Sequence, residues 1–108
     1  MPAFLLLSVA ILSEVVGTLA LRASDGFSRP GPAALVVAGY GLSFWLMALA
    51  LKQIPVGLTY AIWSGVGTAL VAVGGVVAFG ESMNPMKIAS LMVIVLGVAG
   101  LSAAGGAH

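Results

Sequence analysis

The sequence predicts an all-α membrane protein of four transmembrane helices, read as one domain over residues 1–108. Composition is the first ground: 61% of the residues are hydrophobic and only 6% are charged, with a mean hydropathy of +1.20, far from the usage of soluble chains. The second is the layout of the apolar residues. They fall into four runs, at about residues 3–21, 32–51, 56–79 and 87–104, each long enough to cross a hydrocarbon core of about 30 Å as a helix. These runs do not alternate apolar with polar residues as membrane-barrel strands do, so helices are the consistent reading. Connections of about 10, 4 and 7 residues make consecutive helices antiparallel neighbours and leave no soluble domain.

Helix 1 carries Glu14 near its middle, the one acid inside the four runs. The run lacks the basic start of a signal peptide, holds an acid in its apolar stretch and is followed by Arg22, Asp25 and Arg29, so it is read as a retained helix. A carboxylate at a helix centre costs about 2.5–3.5 kcal/mol on insertion scales, and such acids face a bundle interior or a water-filled cavity. No Lys, Arg or His lies deep inside a span to pair with it, Lys87 standing at the very end of the fourth run. It is therefore available to a proton or to a mobile cation. At about 100° per residue, Ala3, Leu7, Ala10, Glu14, Gly17, Thr18 and Leu21 share one face, and Leu5, Val9, Leu12, Val16 and Leu19 share the opposite, lipid-suited face. Leu7, Ala10, Ile11, Gly17 and Thr18 are the candidate lining residues of a site at Glu14. The simpler alternative is a protonated Glu14 acting only as a hydrogen-bonding contact between helices.

The first connection, from Arg22 to Pro32, collects charges, glycines and prolines, which suits an interfacial loop. Helix 2 then places Tyr40, Ser43, Phe44 and Met47 on one face. Helix 3, entered after Pro55, aligns Val56, Thr59, Tyr60, Trp63, Gly67 and Leu70, so that a phenol and an indole stand one turn apart. Tyr40 and Tyr60 also fit the aromatic belt of a membrane interface, whereas Trp63 lies too deep for it. An indole beside a carboxylate suits a lipophilic cation, through cation–π attraction and a counter-charge in a low-dielectric place. The absence of basic groups in the spans disfavours anions, and a single carboxylate disfavours a hard metal ion.

Gly65 and Gly67 stand in the middle of helix 3, where they permit a hinge or, equally, close helix packing. In helix 4, Ser90, Gly97 and Ala104 recur every seven residues, a stripe of small residues suited to association with a second copy or to packing within one chain. Four helices can barely enclose and gate a drug-sized cavity, so a homodimer is expected. With no cysteines there are no disulfides or thiolate sites. No cofactor is implied, and a net charge of +1 gives no basis for a nucleic-acid partner. The terminal His108 has no partner in reach and reads as a solvated tail.

Charge leaves orientation open. Lys52 stands on one side of the membrane against Arg22, Arg29 and Lys87 on the other, a bias toward a cytoplasmic first loop that is too small to exclude insertion both ways up. Two copies in opposite orientations would have the inverted symmetry that transporters build from internal repeats.

Glu14-Val15-Val16-Gly17-Thr18, Gly26-Phe27-Ser28-Arg29, Ser43-Phe44-Trp45-Leu46 and the string from Ile54-Pro55 through Tyr60-Ala61-Ile62-Trp63-Ser64-Gly65-Val66-Gly67 resemble the small multidrug resistance family over essentially the whole chain. Gly17-Thr18, where the guanidinium-exporting branch typically has Trp, looks like the quaternary-ammonium-exporting branch. The resemblance implies an antiparallel homodimer in the bacterial inner membrane, surrounded by lipid, that exchanges protons for polyaromatic or quaternary cations. It further implies that Glu14 binds proton or substrate in turn, that Tyr60 and Trp63 contact the substrate, that Tyr40, Ser43 and Phe44 line the cavity, and that Ser90 and Gly97 lie at the dimer contact. Two positions depart from the pattern: Phe4 stands where that branch has Tyr, and Ser90 where it has Gly. A guanidinium or polyamine exporter of the same family is the near alternative, and a non-transporting membrane subunit or small pore is the distant one.

Overall fold

The computed structural model describes residues 2–104, so His108 lies outside the described residues. Within them are four helices, α1 (Ala3–Ala23), α2 (Pro30–Ala50), α3 (Val56–Phe79) and α4 (Pro85–Ala103), each long and apolar enough to cross a membrane. Together with the expected pattern of runs, this makes the chain a four-span, all-α, multi-pass membrane protein. The helices begin where proline can stand without losing a bond: Pro30 and Pro85 occupy first-turn positions, whose N–H groups have no intrahelical acceptor. That is why α2 and α4 each start two residues before the run of apolar side chains does. Asn84 caps α4 by accepting from the Lys87 N–H at 2.9 Å. Gly80 ends α3 in the left-handed conformation at φ 66°, and the N–H groups of Gly80 and Glu81 return to the carbonyls of Val76 and Gly75.

The first connection is tightly built. Ser24 is fully buried, donates its hydroxyl to the Leu21 carbonyl at 2.7 Å and accepts from the Phe27 N–H at 3.1 Å. Asp25, Gly26 and Phe27 all have positive φ, a conformation that an Asp-Gly pair tolerates and that tips the exposed Phe27 ring outward.

Packing runs α2–α1–α3–α4, with α1 between α2 and α3 and α4 resting on α3. The expectation that consecutive helices are neighbours therefore holds for α1–α2 and α3–α4 but not for α2–α3, whose short connection joins two helices that both pack on α1. The result is a slab measuring 44 × 35 × 17 Å between Cα atoms. Its core joins Leu6, Leu7, Ala10 and Ile11 of α1 to Leu46 and Ala50 of α2, Ile54 of the second connection and Leu58 of α3. The tightest crossing is between α1 and α2. A Cβ on Gly39 would stand 2.9 Å from the Ser13 carbonyl oxygen and 3.0 Å from Gly17 Cα, so the two backbones meet where neither residue has a side chain.

The wheel assignment of α1 holds for Leu5, Val9, Leu12 and Val16, which are exposed, and for Ala3, Leu7, Ala10 and Gly17, which are buried. It fails at two positions near the end of the helix. Leu19 lies over Gly74 of α3, where a Cβ would meet it at 2.8 Å, and Leu21 is exposed. At this end of the helix the packed face thus includes Leu19, admitted by the missing side chain of Gly74, and leaves Leu21 outside it. No residue of α4 is buried.

Candidate functional site

Glu14 reaches from the middle of the slab's central helix toward α3. Its Oε1 lies 3.2 Å from the point that a Cβ on Gly67 would occupy, so the absence of a side chain at position 67 is what admits the carboxyl. Oε2 is shielded from solvent and has no hydrogen-bond partner, alone among the buried side-chain nitrogens and oxygens of the described residues. A buried oxygen left in that state is costly unless a proton or a cation meets it.

One turn further along α1, Thr18 stands beside the carboxyl. Its hydroxyl is shared with Tyr40 of α2, the oxygens 2.7 Å apart. Gly17 gives the Tyr40 ring its seat, since a Cβ there would come within 3.0 Å of Tyr40 Cδ1. From Tyr40 an aromatic strip crosses to α3. Tyr40 stacks on Phe44 with ring centroids 6.2 Å apart, Phe44 meets Trp63 at 6.1 Å, and Trp63 meets Tyr60 at 5.6 Å. The indole is held at its polar end: Trp63 Nε1–H donates to Ser43 Oγ at 3.3 Å. Such spacings lie within the range of favourable aromatic pairing. Phe44 and Tyr60 remain 53% and 59% exposed, so the strip forms an open wall rather than a closed chamber.

The structure therefore brings Glu14, Gly17, Thr18, Tyr40, Ser43, Phe44, Tyr60, Trp63 and Gly67 to one region. Leu7, Ala10 and Ile11, at 1%, 0% and 4% exposure, are buried in the core against which Trp63 packs. Ser43, fully buried, positions the indole from behind. Thr59 is also withdrawn, its hydroxyl donated at 2.9 Å to the carbonyl of Pro55, the residue that precedes its helix. Gly65 faces α4, where a Cβ would collide with Val98. Ser90 and Gly97 lie on α4, away from Glu14; both are exposed, and Ser90 bonds only back to the Met86 carbonyl. α3 is helical without interruption through Gly65 and Gly67.

Gly39 is the contributor that pattern reading missed. It lets α2 approach closely enough for Tyr40, the next residue, to reach Thr18. The available signal was the pair Gly17 and Gly39, facing each other across the first connection.

Chemically, the region offers one carboxyl, four aromatic rings and four hydroxyls, and none of the residues named in it is basic. An aromatic face and a counter-charge in a low-dielectric setting attract organic cations. Residues 2–94 match the family model described as Small Multidrug Resistance protein. The chain is 48% identical over 95 residues to multidrug resistance protein EbrA of Bacillus licheniformis, covering 88% of this chain and 90% of the relative. It is 45% identical over 98 residues to the guanidinium exporter of Escherichia coli, covering 91% and 93%. With quaternary ammonium compound-resistance protein QacF of Klebsiella aerogenes it shares 44% identity over 99 residues, covering 92% and 90%.

Proposed function

Because the chain belongs to the small multidrug resistance family, whose members are membrane transporters and not enzymes, we propose that it is a proton-coupled antiporter exporting lipophilic and quaternary ammonium cations, with Glu14 as the common binding point. The coarser statement, a small multidrug efflux transporter of the bacterial inner membrane, follows from the family. What carries the finer one is Glu14 Oε2, a buried carboxyl oxygen without a partner, next to a row of aromatic rings.

A proton and an organic cation can each satisfy that oxygen, but not together. With the site open to one side at a time and the empty form slow to turn over, such competition is enough for antiport. A cation arriving from the cytoplasm displaces the proton and lies between the carboxylate and the faces of Trp63 and Tyr60. Protons arriving from the outer side then release it. Gly65 and Gly67 serve as the flexible point of α3 during the exchange of access.

One chain supplies one wall. A pocket normally buries 70–90% of a small ligand, whereas half of the Phe44 and Tyr60 surfaces stands open here. The reading therefore includes a second copy, inverted in the membrane, that closes the cavity and contributes a second Glu14. The two acids would titrate as one coupled unit. Ser90 and Gly97 provide the contact surface on α4.

The guanidinium exporter is a second reading, favoured by 45% identity to the Escherichia coli protein of that name. Gly17 argues against it, because the small residue there leaves its space to the Tyr40 ring and keeps a broad aromatic wall. The deciding experiment is uptake into proteoliposomes under an imposed pH gradient, with ethidium, methyl viologen, guanidinium and spermidine as substrates. Gradient-driven exchange of the first two that disappears in Glu14→Gln is expected. Retained proton-coupled exchange in Glu14→Gln would falsify the assignment, and preference for guanidinium or spermidine would move it to the second reading.

A further inference from the structure

A groove follows the outer seam between α3 and α4, on the opposite side of α3 from Glu14. Its deeper stretch, about 440 Å³, is lined by apolar side chains alone, among them Ala69, Val73, Met92 and Leu96. Its outer stretch, about 330 Å³, shares Met83 and Leu91 with the first and ends among Glu81, Ser82, Lys87 and Ser90. We propose that this seam is a phospholipid site, with an acyl chain in the apolar stretch and a zwitterionic aminophospholipid head group, that of phosphatidylethanolamine, at its mouth.

Three observations converge on that occupant. The first is charge. Lys87 Nζ is held at the mouth by the Ser82 carbonyl at 2.9 Å and the Ser82 hydroxyl at 3.3 Å, close to the first turn of α4, whose free N–H groups add partial positive charge. Glu81 lines the same mouth from the α3 side and also the adjoining hollow that holds Arg22, its carboxylate folded over Gly75. One cation and one anion match a phosphate and an ammonium. A singly anionic head group would leave Glu81 opposed, and a choline group has no N–H to donate to it.

The second is depth. Leu96 lies nine positions beyond Lys87, about 13.5 Å along a helix. Half of a hydrocarbon core of about 30 Å is one leaflet, so the groove has the length of one acyl chain.

The third concerns the competing occupant, a second copy of this chain. Gly97 and Ile88 are nine residues apart on α4, which places them about 180° apart around its axis. Ile88 lines the apolar stretch, so a copy seated on the face bearing Ser90 and Gly97 leaves that stretch open to lipid and meets the groove only at its mouth, where Ser90 stands. The contact of Ile94 and Val98 with Gly65 fixes α4 in this rotation.

The test is native mass spectrometry of the full-length, detergent-solubilised protein titrated separately with phosphatidylethanolamine, phosphatidylglycerol and phosphatidylcholine. A retained phosphatidylethanolamine adduct, at least about fivefold stronger than either other lipid, is expected. It should fall by about fivefold in Lys87→Gln and in Glu81→Gln, the scale of one exposed ionic contact. Val73→Trp, which fills the apolar stretch without touching the charges, should weaken adducts of every lipid. Circular dichroism confirms that each variant keeps its helices. Equal adducts for the three lipids, or an adduct indifferent to Lys87→Gln and Val73→Trp, overturns the proposal. So does efficient disulfide formation by Met92→Cys in native membranes, which would seat a second copy in the groove; the chain has no other cysteine to confuse that result.

Discussion

At Glu14 a single missing Cβ matters as much as the acid itself. Gly67 leaves the space into which the carboxyl extends, and the added methyl of Gly67→Ala would lie 3.2 Å from Oε1. The carboxyl is the end of a flexible side chain, so it will move rather than break the fold. Gly67→Ala is expected to weaken binding of a quaternary cation by about fivefold, equivalent to about 1 kcal/mol, with helicity unchanged. Isothermal titration in detergent would show it. Tyr40→Phe gives a graded contrast. It removes the 2.7 Å bond to Thr18, and hydrogen bonds between membrane helices average about 0.6 kcal/mol, so the loss in affinity should stay near threefold. A much larger loss would mean that the phenol itself touches the cation. Glu14, Tyr60 and Trp63 were legible in the sequence because an acid and an indole are conspicuous among aliphatic side chains. The seats for them were not. Gly39 and the carboxyl's neighbour Gly67 acquire meaning only when the helices are placed side by side, and one helix's periodicity carries no record of its neighbour's tilt.

The four spans were readable to within about two residues at their ends, because a membrane helix must satisfy its backbone internally and therefore runs as far as the apolar stretch does. The discrepancies at the helix starts arose at proline, which ends a helix from within but begins one comfortably: Pro30 and Pro85 both lie inside the first turn. Between elements, the α1–α2 crossing is the least forgiving contact. Gly39→Ala would set a methyl group 2.9 Å from a backbone oxygen and 3.0 Å from a backbone carbon, and neither can rotate away. Overpacking of this kind costs about 1–3 kcal/mol. A matching fall in stability is expected in reversible dodecyl sulfate unfolding followed by circular dichroism. Gly57→Ala, with open space around it, should leave the midpoint where it is. Equal shifts in the two variants would show that helix propensity, and not the crossing, sets the effect.

As a whole molecule the chain is a slab 17 Å thick carrying an uncovered aromatic wall and a helix, α4, with no buried residue. Such a shape cannot enclose a ligand by itself, and the proposed inverted partner follows from that geometry together with the balance of charges at its two edges. Gly97 has nothing within 4 Å of a built Cβ in the single chain, so Gly97→Leu should leave the monomer's fold intact. If that face is the dimer contact, the variant will lower the dimer fraction by about tenfold at fixed detergent concentration in light scattering and will depress transport with it. An unaltered dimer would remove α4's small-residue face from the interface. The expectation of association rests on the number of helices, whereas the lateral order α2–α1–α3–α4 departs from chain order, because a short connection joins α2 to α3 without setting them side by side.

α3 touches two different neighbours through two glycines only two residues apart. Gly65 is set against Val98 and Gly67 against Glu14, about 200° from each other around the helix axis. A small roll of α3 therefore changes the two clearances in opposite senses: what widens around the acid tightens against α4. Whatever occupies Glu14 is in this way weighed against the position of α4, whose Val98 stands 31 residues beyond Gly67 in the chain yet meets α3 directly at Gly65.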